Sequence, residues 1–294
     1  MIDKTAIIEK GAILGADVRV GPYCFVGRDV KLGDRVELIS HVVVGGKTEI
    51  GDDTVIYPFS TVGLKSQDLK FQDDADMTGL KIGKRCRIRE YVTIHSGTPA
   101  GRNTTSGHFG TTDARGQNDS HDDKGTRIGD DCQIMVSAHV AHDCRIGNNV
   151  VISNLAQIAG HVEIENNVII SGMAAVHQFC HIGEYAFLGA MSGTPVDIPP
   201  YVIYDGAPAR YRTINKVGLA RHGFTNEDMH AIHLVYSEIL GGDATEALDV
   251  KIARIRKKVK DNKYAMNALD FIEHRSGRGI TAGAKINFQN RTEG

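Results

Sequence analysis

Histidine has an ordinary pKa of ~6.5, which leaves a neutral nitrogen base near pH 7, and its imidazole is also a common metal ligand. Of the thirteen histidines in this 294-residue chain, five recur at related places: His95, His139, His142, His161 and His177. Three of them, His142, His161 and His177, belong to six-residue units that start at Val140, Ile158 and Val176, 18 residues apart. If 18 residues make one turn of a coil with strands ~4.8 Å apart, these imidazoles and Gln178 gather on one face, within a few ångströms to about 10 Å of one another. His139 flanks that face, and His95 occupies the matching unit one coil earlier. Two chemistries suit such a cluster: an imidazole general base whose neighbours bind substrate, or a three-histidine zinc site. A noncatalytic scaffold has no use for five titratable groups in one place.

The elements that place them follow a period of six. An aliphatic residue stands at every sixth position eleven times in succession from Ile2 to Val62, again at Ile82, Ile88 and Ile94, and eleven more times from Ile128 to Leu188. Six is neither a helical period nor that of a long alternating strand. It fits a short strand that turns a corner every six residues, three sides making an 18-residue triangular coil. Glycine often follows the aliphatic residue, as at Gly15, Gly33 and Gly147, and is expected to relieve the turn. The position four after the aliphatic residue is small or β-branched and reads as a second inward site. All five cysteines, Cys24, Cys86, Cys132, Cys144 and Cys180, fall there, as small buried hydrophobes rather than disulfide partners.

The register breaks at about 64–81 and 97–127. Phased in threes, Val62 and Ile94 fall on one side of the prism, so both excursions leave from the same corner, where an irregular functional surface can be built. After Pro199-Pro200 the pattern becomes helical: Thr225 with Asp228 resembles a capping box, and further helices are expected near 244–260 and 263–274. The chain thus divides into a β-helical part, 1–195, and a helical part, 196–294. Six basic residues between Lys251 and Lys260 read either as a solvated helix face or as a dock for an acidic carrier.

Composition narrows the function classes. With 34 Lys+Arg against 36 Asp+Glu, the net charge of −2 gives no global attraction to nucleic acid. No apolar run approaches the ~18 residues of a membrane span, so integral membrane association is not expected. The start, Met1-Ile2-Asp3-Lys4, lacks a signal-peptide pattern, and a cytoplasmic protein is expected.

The strings Ser137-Ala138-His139-Val140-Ala141-His142-Asp143-Cys144, Leu155 to Val162 and Val176-His177-Gln178-Phe179-Cys180 resemble the UDP-N-acetylglucosamine O-acyltransferases that begin lipid A synthesis. Ser66 to Lys70, Arg87 to His95, Asp197 to Tyr201 and Ser276 to Ile280 extend the resemblance along the chain. It implies a left-handed parallel β-helix of hexapeptide repeats followed by an α-helical C-terminal segment, and a homotrimer. It also implies transfer of a 3-hydroxyacyl chain from an acyl carrier protein thioester to the sugar 3-position, with no metal or other cofactor. In the roles so implied, His142 is the general base, Asp143 orients it, and the Gly160 N–H faces the oxyanion. Asp68, Lys70, His95, His139, His161, His177 and Gln178 line the substrate groove. Asn215 and Arg221 match nucleotide contacts, while Val217 and His222 depart from the pattern beside them. Phe187 and Ala190 match the positions that measure acyl length, Ala190 favouring a shorter chain. The competing readings on the same scaffold are an acetyl-CoA-dependent sugar acetyltransferase and a zinc enzyme resembling the gamma carbonic anhydrases. A sister N-acyltransferase usually carries a separate N-terminal domain, which is not expected here because the hexads start at Ile2.

Overall fold

In the computed structural model, residues 1–69, 77–99, 125–241, 245–274 and 276–280 are described. Short parallel strands, most of two residues, form three sheets of nine, eight and ten strands, and successive strands pass from one sheet to the next. Away from the excursions and the last strands, a strand pairs with the one 18 residues on: Ile8 with Val26, Leu14 with Leu32, Val20 with Leu38. The aliphatic residues of the register point inward and fill the prism; Val26, Val44, Ile56, Ile94, Val140 and Ile158 are fully buried. The second inward position behaves as its residue types demand. All five cysteines are buried and free, and Cys132 and Cys144 each donate to a carbonyl of the next coil at 3.1 Å.

The corners differ from the expectation in one respect. The left-handed conformation falls mainly on non-glycine residues three after the aliphatic one, among them Asp17, Tyr23, Asp143, His161 and Tyr185. Glycines after the aliphatic residue serve clearance instead. A Cβ on Gly21 would lie 1.8 Å from the Ile39 carbonyl oxygen of the neighbouring coil. Short polar side chains then tie coil to coil: Asp34, Asp130, Asn148 and Asn166 each accept an N–H from the coil before.

Stacked corners make three columns. One alternates charge, with Arg35 on Asp53 and Arg85 on Asp131 in two-pronged pairs. A second is an exposed apolar ridge: Tyr23, His41, Phe59 and Tyr91 stack at 5.0, 4.9 and 5.2 Å, and Leu155, Met173 and Met191 continue it. The third carries Asp143, His161 and Phe179. Both excursions leave at this third corner, between Thr61–Leu64 and Leu80–Ile82 and between Thr93–His95 and Thr126–Ile128. Pairing continues across them, Thr48 with Leu80 and Leu80 with Thr126, spacings of 32 and 46 residues in place of 18.

The coil extends past residue 195. Val202–Asp205 adds to a sheet in parallel beside Phe187–Leu188 and then pairs antiparallel with Arg210–Ile214. Four helices follow: α1 (Lys216–Arg221), α2 (Asn226–Gly241), α3 (Leu248–Val259) and α4 (Lys263–Glu273). The expected capping box forms, Thr225 N–H donating to Asp228 Oδ2 at 2.9 Å and Asp228 N–H to Thr225 Oγ1 at 3.1 Å. Helix α4 is fixed to the coil by Asn267, which donates to Glu184 and to the Tyr201 hydroxyl. The turn after it is fixed by Asp197, which accepts the N–H and hydroxyl of Ser276.

Candidate active site

Strand pairing decides which histidines meet. Thr93 pairs with His139 and Val140 with Ile158, so the coils carrying His95, His139, His142 and His161 are consecutive. The His95 and His139 rings lie edge to face at 4.8 Å, and those of His142 and His161 at 5.0 Å. A cavity of about 580 Å³ is bordered by His139, His142, Gly160, His177, Gln67 and Asp68, while His95 and His161 stand behind its lining, against His139 and His142. Asp68, from the first excursion, faces His142 with Oδ2 4.0 Å from Nε2.

His142 is nearly enclosed and Asp143 more so, at 8% and 2% exposure. His142 Nδ1 and Asp143 Oδ2 are 2.9 Å apart, so an Nδ1–H donates to the carboxylate and Nε2 is turned to the cavity. Burial alone pushes the Asp143 carboxyl up. Hydrogen bonds from His142 and Thr98 and the nearby His161 outweigh this and hold it below the ordinary carboxylate range. The flanking rings go the other way. Burial, reinforced by the neighbouring imidazoles, lowers His95 to about 4. Burial likewise lowers His139, against the hydrogen bond at Thr93. Both rings are therefore uncharged near neutral pH, and Asp143 carries fixed negative charge at the back of the site.

Gly160 explains how the imidazole fits. A Cβ there would stand 2.7 Å from His142 Nε2 and 2.8 Å from Cε1, so the ring lies against bare backbone. His161 stacks flat on Phe179 at 4.6 Å and brings Nε2 to 3.9 Å from Asp143 Oδ2. His142, Asp143 and His161 offer donor atoms within 4.8 Å of one another, so the trio has metal-binding spacing as well.

The other expected residues lie further out. Gln178 is exposed, its carbonyl 3.2 Å from His177 Nδ1. Lys70 lies outside the described residues. Asn215 caps α1, accepting from the Gly218 N–H and donating to the Tyr185 carbonyl, so its amide is engaged with backbone. Arg221 borders a second cavity of about 680 Å³, together with Lys216, Val217, His230 and His233. The His222 ring bonds to the Gly218 carbonyl at 2.8 Å and meets Tyr185 edge-on. Phe187 and exposed Ala190 lie on the adjoining sheet and at its corner, outside the histidine cavity.

The sequence pattern does not single out Thr98 and Thr126, both touching Asp143. They stand at the edges of the second excursion, where the period of six gives no guidance. The period of six likewise does not reach His230 and His233, the histidines of the second cavity. Their spacing of three puts them on one face of α2, a signal the sequence did contain.

Residues 197–281 match the family described as UDP N-acetylglucosamine O-acyltransferase, domain 2, and residues 125–160 match the bacterial transferase hexapeptide of six repeats. LpxA from Acinetobacter baumannii is 34% identical, with 95% of this chain and 99% of that one covered at a TM-score of 0.83. UDP-N-acetylglucosamine O-acyltransferase (LpxA) from Moraxella catarrhalis is 35% identical, with coverage of 95% and 98% and a TM-score of 0.82. The Arabidopsis UDP-N-acetylglucosamine acyltransferase is 31% identical, with coverage of 95% and 99% and a TM-score of 0.78. A left-handed parallel β-helix with a helical C-terminal segment, bearing an enclosed His-Asp pair and alike to these structures from end to end, places the chain in the UDP-N-acetylglucosamine O-acyltransferase family.

Proposed function

We propose that this protein transfers a 3-hydroxyacyl chain from acyl carrier protein to the 3-position of UDP-N-acetylglucosamine or its 3-amino analogue, the first acylation of lipid A assembly. The observation that carries the reading is His142, with Nδ1 held by Asp143 at 2.9 Å and Nε2 facing the cavity. Nε2 takes the proton of the 3-hydroxyl as its oxygen attacks the thioester carbonyl. The tetrahedral oxyanion is met by the Gly160 N–H. Collapse breaks the C–S bond, and the departing thiolate recovers the proton from the imidazolium. Asp143 stabilises that imidazolium, while neutral His95 and His139 add no competing positive charge. Asp68 and His177 hold the sugar, and Arg221 with Lys216 offers cationic groups for its diphosphate.

No metal is needed in this scheme. The donor trio supports a zinc reading as an alternative, but a metal on His142 Nδ1 displaces the bond that orients the base. Metal content and activity after chelation separate the two. Within the proposal the enzyme works in the cytoplasm as a homotrimer. Among the described residues no helix is long and apolar enough to cross a membrane. The exposed ridge of Tyr91, Leu155, Met173 and Met191 supports a second copy seated against it. The basic stretch on α3 favours the solvated-face reading: Arg254, Arg256 and Lys258 pair with Glu238, Glu246, Asp270 and Glu273, and Lys251 is buried. The deciding experiment is mass spectrometry of products formed from UDP-N-acetylglucosamine and its 3-amino analogue with a panel of 3-hydroxyacyl carrier proteins, for wild type and His142→Ala. Product formation undiminished in His142→Ala sinks the mechanism.

A further inference from the structure

Asp143 is held from three directions. His142 Nδ1 meets Oδ2 at 2.9 Å. Thr98 supplies the other side: its hydroxyl donates to Oδ2 at 2.7 Å, and its backbone N–H lies 3.1 Å from Oδ1 and 3.3 Å from Oδ2. The Asp143 N–H itself donates to Thr126 Oγ1 at 2.9 Å. Thr98, Thr126 and Asp143 are all buried, so water does not compete for these bonds. The approach is close. A Cβ on Gly97 would lie 2.7 Å from Asp143 Oδ1 and 2.3 Å from the Gly125 Cα.

We infer that Thr98 is a positioning residue for acyl transfer, setting the direction in which the Asp143 carboxylate faces the His142 imidazole. The inference rests on the reading of His142 as the base and goes beyond it. A carboxylate oxygen offers two in-plane lone pairs. With the Thr98 hydroxyl on one, the other is presented to Nδ1–H, and rotation of the carboxylate costs the Thr98 bonds. Thr98 touches neither substrate nor proton; it acts through Asp143 alone. Its neighbour in the arrangement, Thr126, fixes the backbone of Asp143, which stands in the left-handed region at φ 58°. Thr98 and Thr126 bracket the second excursion, so the roots of that excursion and the orienting carboxylate form one hydrogen-bonded unit.

Thr98→Val keeps the side-chain shape and the backbone donor while removing the hydroxyl. Steady-state acyl transfer is measured for wild type, Thr98→Val, Thr98→Ala, Thr98→Ser, His142→Ala, Asp143→Ala and the double variant Thr98→Val/Asp143→Ala. The expected result is a kcat about tenfold lower for Thr98→Val and Thr98→Ala, the scale of one hydrogen bond to a charged group. KM for the UDP-sugar stays within about twofold, and Thr98→Ser restores kcat. In the Asp143→Ala background Thr98→Val costs nothing further. Wild-type kcat in Thr98→Val and Thr98→Ala, with His142→Ala inactive, overturns the role of Thr98 and leaves the base in place. An equal loss in Thr98→Ser also overturns it, since the hydroxyl is then irrelevant. Full activity in His142→Ala instead overturns the reading of the site beneath it.

Discussion

Replacing Gly160 by alanine separates catalysis from folding in this enzyme. The φ of Gly160 lies outside the left-handed region, so the backbone accepts alanine without strain. The three atoms nearest the new methyl all belong to the His142 ring, at 2.7, 2.8 and 3.3 Å. Ordinary contact begins near 3.4 Å, so the imidazole must retreat by roughly 0.7 Å. It is pivoted on the 2.9 Å bond to Asp143, and that retreat lengthens the bond or swings Nε2 off the line of proton transfer. Misplacement of about 1 Å at a reacting group costs on the order of a hundredfold in rate, about 2.7 kcal/mol of barrier. The folded state loses far less, because what yields is the end of a side chain; stability within about 1 kcal/mol of wild type is expected. Alanine keeps the N–H at 160, so the loss reports the ring and not the oxyanion donor. The assay is initial-rate transfer from 3-hydroxyacyl carrier protein to UDP-N-acetylglucosamine, beside thermal melting by circular dichroism. A variant that melts like wild type and also turns over like wild type refutes the placement of His142 against Gly160.

Ala190→Gly enlarges the corner beside Phe187 and is expected to shift preference toward longer 3-hydroxyacyl chains; unchanged selectivity across a carrier-protein series removes Ala190 from that role. Met173→Glu places charge in the exposed ridge and is expected to shift the protein toward monomer, read by light scattering after gel filtration. At the far end of the coil, burial opposes a charge on His181, but Glu165 at 2.8 Å and Glu163 outweigh it and hold the imidazole up to about 9. A folded pKa above the unfolded ~6.5 means stability fully present below pH 6.5 and lost as pH rises through about 9. The melting temperature of wild type is therefore expected to fall more steeply between those values than that of His181→Gln, and parallel curves contradict the pairing.

Much of this was legible because the coil turns sequence spacing into spatial adjacency. Once 18 residues make a turn, His142 and His161 must lie on neighbouring strands, and Cys24 through Cys180 must point inward. Reading stopped where adjacency came from elsewhere. Thr98 is 45 residues from Asp143, across a break in the period, and Thr126, 17 residues before Asp143, stands at the edge where that break ends. Asn215, which matches a nucleotide contact in sequence, also caps α1 with its amide, a second role that the residue type suits equally and that no spacing announces. The glycines that often follow the aliphatic residue read as turn formers, because sequence shows conformational freedom and hides the carbonyl pressing in from the next coil. The strand at Val202–Asp205 has no hexad to announce it; it forms because the last sheet leaves an open edge beside Phe187–Leu188.

That pairing resumes past both excursions, with partners 32 and 46 residues apart where others are 18 and one register shift between Val62 and Leu64, has an evolutionary corollary. The stack registers only where a segment leaves and returns, and the entropy of closing a loop grows slowly with its length, by about 0.6 kcal/mol for each doubling. Insertions at this corner are thus nearly free for stability, yet they land beside the reacting groups. Lineages can therefore try new contacts to their sugar by lengthening a detour, while the frame that aims the base stays as it was.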